Sequence, residues 1–193
     1  MEVELKYRLT KQEYDKCLAL FNSLSDCQLV DTEYQENYFY DNSNLELEKK
    51  RVNFRLRRIN AKETKSVITI KGKGQNHVTL KDGVSRISEI EETIDNQVFD
   101  QMKNDPSSIL NLKLDIVESL REELTAFDLS LSGLELEVDE TEYDFGTAYE
   151  IEVEHADPET TRAQLEGLFN SHGITFSYSK RSKFGNLKAR EII

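Results

Sequence analysis

The sequence contains very little cysteine, histidine or proline. Its two cysteines, Cys17 and Cys27, lie ten residues apart without a CxxC motif, and there are three histidines, two prolines and eight glycines among 193 residues. A disulfide scaffold, a zinc site and a cysteine–histidine nucleophile pair are therefore poorly supported. The low proline and glycine content, beside 37% hydrophobic residues, indicates an ordinary globular protein rather than a disordered or fibrous one.

Long apolar runs and an excess of positive charge are also missing. No run approaches the ~20 apolar residues that a membrane helix needs, and the net charge of −12 opposes attraction to nucleic acids or anionic membranes. We therefore expect neither a nucleic-acid nor a membrane partner. The acidic, strand-like N-terminus makes a cytoplasmic location the default, and the length predicts one domain, residues 1–193.

The order of the predicted elements indicates an α+β fold with a largely antiparallel sheet. Three helices are predicted, near residues 11–22, 95–114 and 158–172, the second of them interrupted at Pro106. The strands do not alternate regularly with these helices, which argues against βαβ units. Strands are predicted at residues 1–9, 33–41, 52–59, 65–71, 85–94, 117–127, 134–141 and 148–154, with a short last one at 174–178.

Charged residues recur at every second position in several of these strands. In the first strand Glu2, Glu4 and Lys6 share one face, because successive side chains point to opposite sides. The solvent-exposed face of a strand normally carries charges of both signs together with neutral polar residues, whereas whole strand faces here are acidic or basic. This separation of charge suggests that the faces meet across a multiply charged ligand. The acidic candidates for this inward phase are Glu2, Glu4, Glu89, Glu91, Asp139, Glu150, Glu152 and Glu154, and the basic ones are Lys6, Arg55, Arg57, Lys71, Arg121 and Lys183.

These residue types suit a metal-chelated polyphosphate. A closed barrel of about eight strands holds only side chains or a slim ligand, and a lone buried carboxylate costs several kcal/mol unless it is compensated. Clustered carboxylates are hard ligands for Mg²⁺ or Mn²⁺, and paired arginine forks match phosphate oxygens. A sheet with ion pairs on a solvated face explains the alternation equally well, and periodicity alone does not separate the two interpretations.

Together the motifs resemble the signature of the CYTH, or triphosphate tunnel metalloenzyme, superfamily. Any one of them is weak, but eight in the family's order are specific. The stretch from Leu136 to Glu152 is most similar to the plant-type inorganic tripolyphosphatases within this family. The motifs are, in order, Glu2-x-Glu4-x-Lys6, Arg55-Leu56-Arg57, Ile70-Lys71, Glu89-Ile90-Glu91, Arg121, Asp139, Glu150-Ile151-Glu152 and Lys183.

The resemblance implies an eight-stranded antiparallel closed β-barrel, or tunnel, with a charged interior and helices outside. It also implies two divalent ions, Mg²⁺ or Mn²⁺, and a linear triphosphate inside the tunnel. By resemblance, Glu89 and Glu91 form the catalytic pair beside the second metal and the attacking water. The metal ligands would be Glu2, Glu4, Asp139, Glu150 and Glu152, with Glu154 in phase, so that the choice among the last three stays open. The phosphate-binding residues would be Lys6, Arg55, Arg57, Lys71, Arg121 and Lys183.

The activity implied by the resemblance is metal-dependent hydrolysis of inorganic tripolyphosphate to pyrophosphate and phosphate, by a monomer acting on a small-molecule polyphosphate. A class IV-type adenylyl cyclase, or a nucleotide or thiamine triphosphatase, is the alternative within the family. A pocket for the organic group at the tunnel mouth would distinguish these, and the sequence identifies none. A non-catalytic polyphosphate-binding module is the alternative of a different class, although a pure anion binder gains nothing from so many carboxylates.

Overall fold

The computed structural model describes residues 2–72, 78–130 and 133–193, with the backbone alone for Glu2, residues 78–81, Arg86 and Ile87. The strands within these residues are β1 (Glu2–Leu9), β2 (Cys27–Asp41), β3 (Val52–Asn60), β4 (Thr64–Gly72), β5 (Val78–Lys81), β6 (Val84–Ile94), β7 (Asp115–Leu129), β8 (Leu134–Tyr143), β9 (Gly146–Glu154) and β10 (Ser177–Tyr178). The helices within them are α1 (Lys11–Ser23), α2 (Glu46–Lys49), α3 (Asn96–Asn104), α4 (Ser107–Leu110), α5 (Pro158–Ser171) and α6 (Lys183–Ala189).

Eight of the strands close into a ring. Their order is β1-β9-β8-β7-β2-β3-β4-β6, and β6 pairs back onto β1 with Ser85 opposite Glu4. Every neighbouring pair in this ring is antiparallel. The two short strands lie outside it, β5 against β6 and β10 against β1. The predicted α+β fold, an eight-stranded antiparallel closed β-barrel with helices outside, is confirmed.

The largest apolar core lies outside the ring, between the sheet and helices α1 and α5. Leu5 and Tyr7 of β1 are buried there, and Phe21 of α1 and Phe169 of α5 pack in the same core. Helix α1 begins where predicted, because the Thr10 side chain accepts a hydrogen bond from the first turn. Burying the apolar face of β1 outward turns its charged face into the tunnel.

A second core lies under helix α3, where Leu56 of β3 packs with Phe99 and Met102. The helix predicted over residues 95–114 is two helices, α3 and α4, on either side of the break predicted at Pro106. The first of them begins at the side chain of Asp95, which caps it. Strand β2 begins at Cys27, earlier than the predicted residue 33, because it pairs along its whole length with the equally long β7.

Helix α6, which the sequence pattern did not predict, covers one end of the tunnel. It begins after Ser182, whose hydroxyl oxygen accepts from the backbone N–H of Gly185. Its Leu187 is buried against Leu120, and Phe184 stacks on Phe39 with 4.4 Å between ring centroids. The C-terminal segment is thus part of the tunnel wall. None of the helices in the described ranges is both long and apolar enough to cross a membrane.

Candidate functional site

A cavity of about 490 Å³ lies inside the closed ring. Most of the residues that the sequence placed in the inward phase line it. The acidic ones are Glu4, Glu89, Glu91, Glu152 and Glu154, and the basic ones are Lys6, Arg55, Arg57, Lys71 and Lys183. The structure therefore brings together charged residues from β1, β3, β4, β6, β9 and the start of α6.

Arg121 is not part of this group, and its predicted inward position is wrong. It is exposed, and it lies between Leu120 and Glu122 of β7, both of which line the cavity. Because neighbouring side chains of a strand point to opposite faces, Arg121 faces outward. The pattern misleads here because two inward positions of β7, Leu120 and Leu124, are apolar, unlike those of the other charged strands.

Glu150 and Asp139 lie behind the cavity lining rather than on it. Both side chains are fully buried. Glu150 pairs with Arg8 Nη2 at 3.1 Å and accepts a hydrogen bond from Ser179, whereas Asp139 pairs with Lys183 Nζ at 2.5 Å. The side chain of the predicted Glu2, two positions before Glu4 in β1, lies outside the described residues.

The prediction omitted three residues of the site, Glu137, Glu122 and Asn37. Glu137 follows the inward phase of β8 two positions before Asp139, so the alternation alone could have identified it. Glu122 has apolar inward neighbours, and Asn37 carries no charge, so neither stands out in the pattern. Both are buried within the ring.

Lys6 holds two carboxylates together at the centre of the tunnel. Its Nζ atom lies 2.8 Å from Glu4 Oε2 and 2.7 Å from Glu152 Oε2. Burial opposes the charge on all three groups, but the opposite charges beside each of them outweigh it. Lys6 lowers the pKa of Glu4 to about 2, Lys183 and Lys6 together hold the pKa of Glu152 well below its ordinary value, and the two carboxylates raise the pKa of Lys6.

Lys183 lies within a second cluster of carboxylates. Its Nζ atom lies 2.8 Å from Glu122 Oε1 and 2.8 Å from Glu152 Oε1, in addition to its contact with Asp139. Burial opposes the ammonium charge, but the surrounding carboxylates outweigh it and raise the pKa of Lys183 well above its ordinary value. A lysine of the C-terminal helix therefore neutralises carboxylates of β7, β8 and β9.

On the opposite wall, cations and carboxylates of β3, β4 and β6 alternate. Arg55 Nη2 lies 3.4 Å from Glu89, 3.2 Å from Glu91 and 3.0 Å from the Thr69 hydroxyl. Lys71 pairs with Glu89 and lies 3.7 Å from Glu4. Burial, together with the nearby Arg57 guanidinium, lowers the pKa of Arg55 to about 10.

Three carboxylates have the chemistry to hold a divalent cation. Glu137, Asp139 and Glu152 each place one oxygen within 4.8 Å of the others. Glu137 is exposed to the cavity, but desolvation by the surrounding tunnel walls and the charge of Glu152 raise its pKa to about 7, and Asp139 Oδ1 has no hydrogen-bond partner among the described residues. A divalent ion would neutralise this excess of negative charge, so the residues fit a hard cation with oxygen ligands.

One end of the cavity is apolar. Phe39, Val52, Leu120 and Phe184 line it, next to Glu48 and Arg51 from the α2 region. The lining thus changes from charged side chains in the middle of the tunnel to aromatic and aliphatic ones beside α6.

Comparisons with known proteins agree with this geometry. The family model described as the CYTH domain matches residues 1–182, whereas no protein of curated function matches the sequence. HpAC1 from Hippeastrum, an adenylyl cyclase candidate with a dominant triphosphatase activity, is 27% identical, with a TM-score of 0.88 over 100% of this chain and 98% of its own.

Two more distant solved structures share the fold. PH1819 from Pyrococcus horikoshii OT3 is 20% identical, with a TM-score of 0.69 over 99% of this chain and 100% of its own. An adenylate cyclase candidate from Bacillus halodurans is 18% identical, with a TM-score of 0.68 over 95% of each chain. At these identities the likeness concerns the fold alone.

Proposed function

Because the chain belongs to the CYTH domain family, we propose that it is a metal-dependent hydrolase that removes the terminal phosphate of inorganic tripolyphosphate and yields pyrophosphate and phosphate. One observation carries this proposal: a carboxylate cluster lies at a single cavity inside a closed ring of strands, and five cationic side chains of the charged part of that cavity accompany it, namely Lys6, Arg55, Arg57, Lys71 and Lys183. A pure anion site has no use for the carboxylates, and a pure metal site has no use for the arginines. A metal-bound polyphosphate uses both.

The cations would bind the phosphates. Arg55, Arg57 and Lys71 lie on adjacent strands β3 and β4, and Lys6 and Lys183 approach from other parts of the ring. Each of these side chains is already charged and held near a carboxylate, so phosphate oxygens would replace carboxylate oxygens as their partners. Donors that are fixed in advance stabilise the charge of the transition state without reorganisation.

The carboxylates would have three roles: binding the metal ions, holding the attacking water and stabilising the tunnel wall. We assign Glu4, Glu137, Asp139 and Glu152 to the metal side, with the predicted Glu2 and Glu154 at its edge. Glu89 and Glu91 would hold the attacking water. Fully buried Glu150, paired with Arg8, would support the wall rather than contact an ion. When bound, the divalent ions would neutralise the triphosphate and activate water for in-line attack on its terminal phosphorus.

The triphosphatase activity of HpAC1, which is similar to this chain over its whole length, supports the reaction class. We include in the proposal that the chain acts as a single-domain monomer in the cytoplasm, with Mg²⁺ or Mn²⁺ as the ion. The net charge of −12 disfavours nucleic acid as a partner, and for a small-molecule polyphosphate the tunnel cations and the bound metal ions must overcome the same repulsion.

A second candidate is a triphosphate that carries an organic group, such as a nucleotide or thiamine triphosphate. The observation in its favour is the apolar end of the cavity, where Phe39 and Phe184 stack. An aromatic base or thiazolium ring could pack there while the phosphates stay among the cations. The same site would serve an adenylyl cyclase, which also acts on a nucleoside triphosphate.

Phosphate release separates these candidates. Tripolyphosphate, ATP and thiamine triphosphate are compared at equal concentration with Mg²⁺, Mn²⁺ or EDTA, and the ATP reaction is also assayed for cyclic AMP. We expect the fastest metal-dependent release from tripolyphosphate. Faster turnover of an organic triphosphate would favour the second candidate, and binding without any turnover would favour a polyphosphate-binding module.

A further inference from the structure

A continuous chain of polar contacts crosses the tunnel wall from β3 to α6. The Nε atom of Arg57 donates to Asn37 Oδ1 at 2.7 Å, and Asn37 Nδ2 donates to Glu122 Oε2 at 2.6 Å. Glu122 Oε2 also lies 3.4 Å from Arg57 Nη2, and its other oxygen lies 2.8 Å from Lys183 Nζ. Asn37 and Glu122 thus connect two cations from distant parts of the sequence.

The two cations, Arg57 and Lys183, are more exposed to the cavity than Asn37 and Glu122, which connect them. The side chains of Arg57 and Lys183 are 17% and 15% exposed, whereas the Glu122 side chain is 2% exposed and Asn37 is 0% exposed. Asn37 does not line the cavity. A triphosphate in the cavity would therefore contact the guanidinium and the ammonium, with the amide and the carboxylate supporting them.

The oxygen and the nitrogen of the Asn37 side-chain amide each have one hydrogen-bond partner. Asn37 lies opposite Arg57 in the β2–β3 register and opposite Leu120 in the β2–β7 register, so its side chain points into the ring between these strands. Its oxygen accepts from the arginine and its nitrogen donates to Glu122, which no aliphatic or acidic residue of the same size can do at once. The amide therefore fixes the rotation of the arginine fork.

We propose that Asn37 and Glu122 are positioning residues, which orient Arg57 and Lys183 for the phosphates of the substrate. The inference rests on the proposed function. Glu122 places a negative charge next to a predicted anion site, which weakens long-range attraction for a phosphate. The role of Glu122 is to hold Arg57 and Lys183 close together and aligned when no substrate is bound. Without its charge the two cations would repel each other.

Double-mutant cycles test whether each connector acts through its cation. Asn37→Ala, Arg57→Ala and the double variant are compared for kcat and KM on tripolyphosphate, and for tripolyphosphate binding by calorimetry. We expect Asn37→Ala to lower kcat/KM about tenfold in the wild-type background. In the Arg57→Ala background it should lower kcat/KM less than twofold, because the residue to be oriented is gone.

The second cycle pairs Glu122→Gln with Lys183→Ala under the same measurements. Glutamine retains the shape of glutamate but loses the charge that holds the ammonium, so most of its effect should disappear when Lys183 is absent, and the remainder comes from the contact of Glu122 with Arg57. A control is Ser66→Ala, which removes the hydrogen bond from the buried Ser66 hydroxyl to Asn96 on the outer face. Its effect should be small and should not depend on Arg57. If Asn37→Ala does not fold, Asn37→Leu, with similar volume, replaces it.

The outcomes separate this inference from the proposed function. If the wild type neither hydrolyses nor binds tripolyphosphate, the proposed function fails and the inference fails with it. If the wild type is active but the effects of the two substitutions multiply, the proposed function stands and the positioning role is rejected. Effects that disappear in the Arg57→Ala and Lys183→Ala backgrounds support the positioning role, because a general loss of stability would persist there.

Discussion

The Nζ atom of Lys183 lies 2.5 Å from Oδ2 of Asp139, although the two residues are 44 positions apart in the sequence. The lysine belongs to α6 at the tunnel end, and the aspartate belongs to β8 and is fully buried. This contact ties the C-terminal helix to the carboxylate cluster. It makes the helix part of the proposed site as well as a cover for the tunnel.

Lys183→Met should destabilise the metal-free protein by about 3 kcal/mol, because it leaves buried carboxylates without their cation. Chemical denaturation in EDTA measures the change. Lys188→Met is the matched control on the same helix, since Lys188 forms an ion pair with the exposed Glu48. That control should cost less than about 1 kcal/mol. Equal effects of the two substitutions would show that Lys183 does not hold the cluster.

Arg55→Ala and Arg57→Ala should each raise KM for tripolyphosphate and lower kcat, since a phosphate fork acts in both the ground state and the transition state. Glu91→Gln should mainly lower kcat, because a group that holds the attacking water acts chiefly when the nucleophile forms. Loss of one such group typically costs on the order of 10²–10³ in rate. Steady-state kinetics measures both constants.

Arg121→Ala is the control for these arginine variants, because this exposed residue faces away from the cavity. We expect it to leave kcat and KM within about twofold of the wild type. A large rise in KM would mean that Arg121 does reach the substrate. A change in KM alone for Glu91→Gln would place that carboxylate with the phosphate-binding groups instead of the water.

Glu137→Gln should raise the melting temperature of the metal-free protein at pH 8 and have little effect near pH 4. In the folded protein, desolvation inside the tunnel and the charge of Glu152 raise the pKa of Glu137 from 4.5 to about 7. The folded state then binds more protons than the unfolded state between these values, so the carboxylate destabilises the fold progressively from pH 4.5 to 7 and fully above it. Thermal melts in EDTA across this range measure the effect.

Glu4→Gln should behave in the opposite way. Despite its burial, Lys6 lowers the pKa of Glu4 from 4.5 to about 2, so its charged form stabilises the fold above pH 4.5 and this contribution is lost as the pH falls through 2. The substitution should therefore lower the melting temperature at pH 7. Shifts of the same sign for both variants would contradict the charge arrangement described for the tunnel.

Mn²⁺ should raise the melting temperature of the wild type, because an ion that binds only the folded state stabilises it by mass action. The combined variant Asp139→Asn and Glu152→Gln should lose this increase. Glu140→Gln, on the outward face of the same strand β8, should keep it. The measurement needs no substrate and no turnover. An unchanged Mn²⁺ effect in the combined variant would move the metal away from these carboxylates.

The sequence by itself determined the local features of this protein. The period of two in β1 and β9 identified one charged and one apolar face, and the apolar face of each lies in the core outside the ring. Thr10 and Asp157 marked the starts of helices α1 and α5 because a capping side chain acts within one turn. These are short-range preferences, and they can be read from a few consecutive residues.

Only the tertiary structure decided which charges meet. Arg121 and Glu122 are neighbours in β7, and the pairing of that strand with β2 and β8 turns the glutamate into the tunnel and the arginine outward. Glu150 follows the inward phase of β9, yet Arg8 and Ser179 enclose it behind the cavity. Such outcomes depend on the register between strands and on what covers the ends of the ring. The alternation of side chains along one strand predicts neither the register nor the cover, because both arise from contacts between residues far apart in the chain.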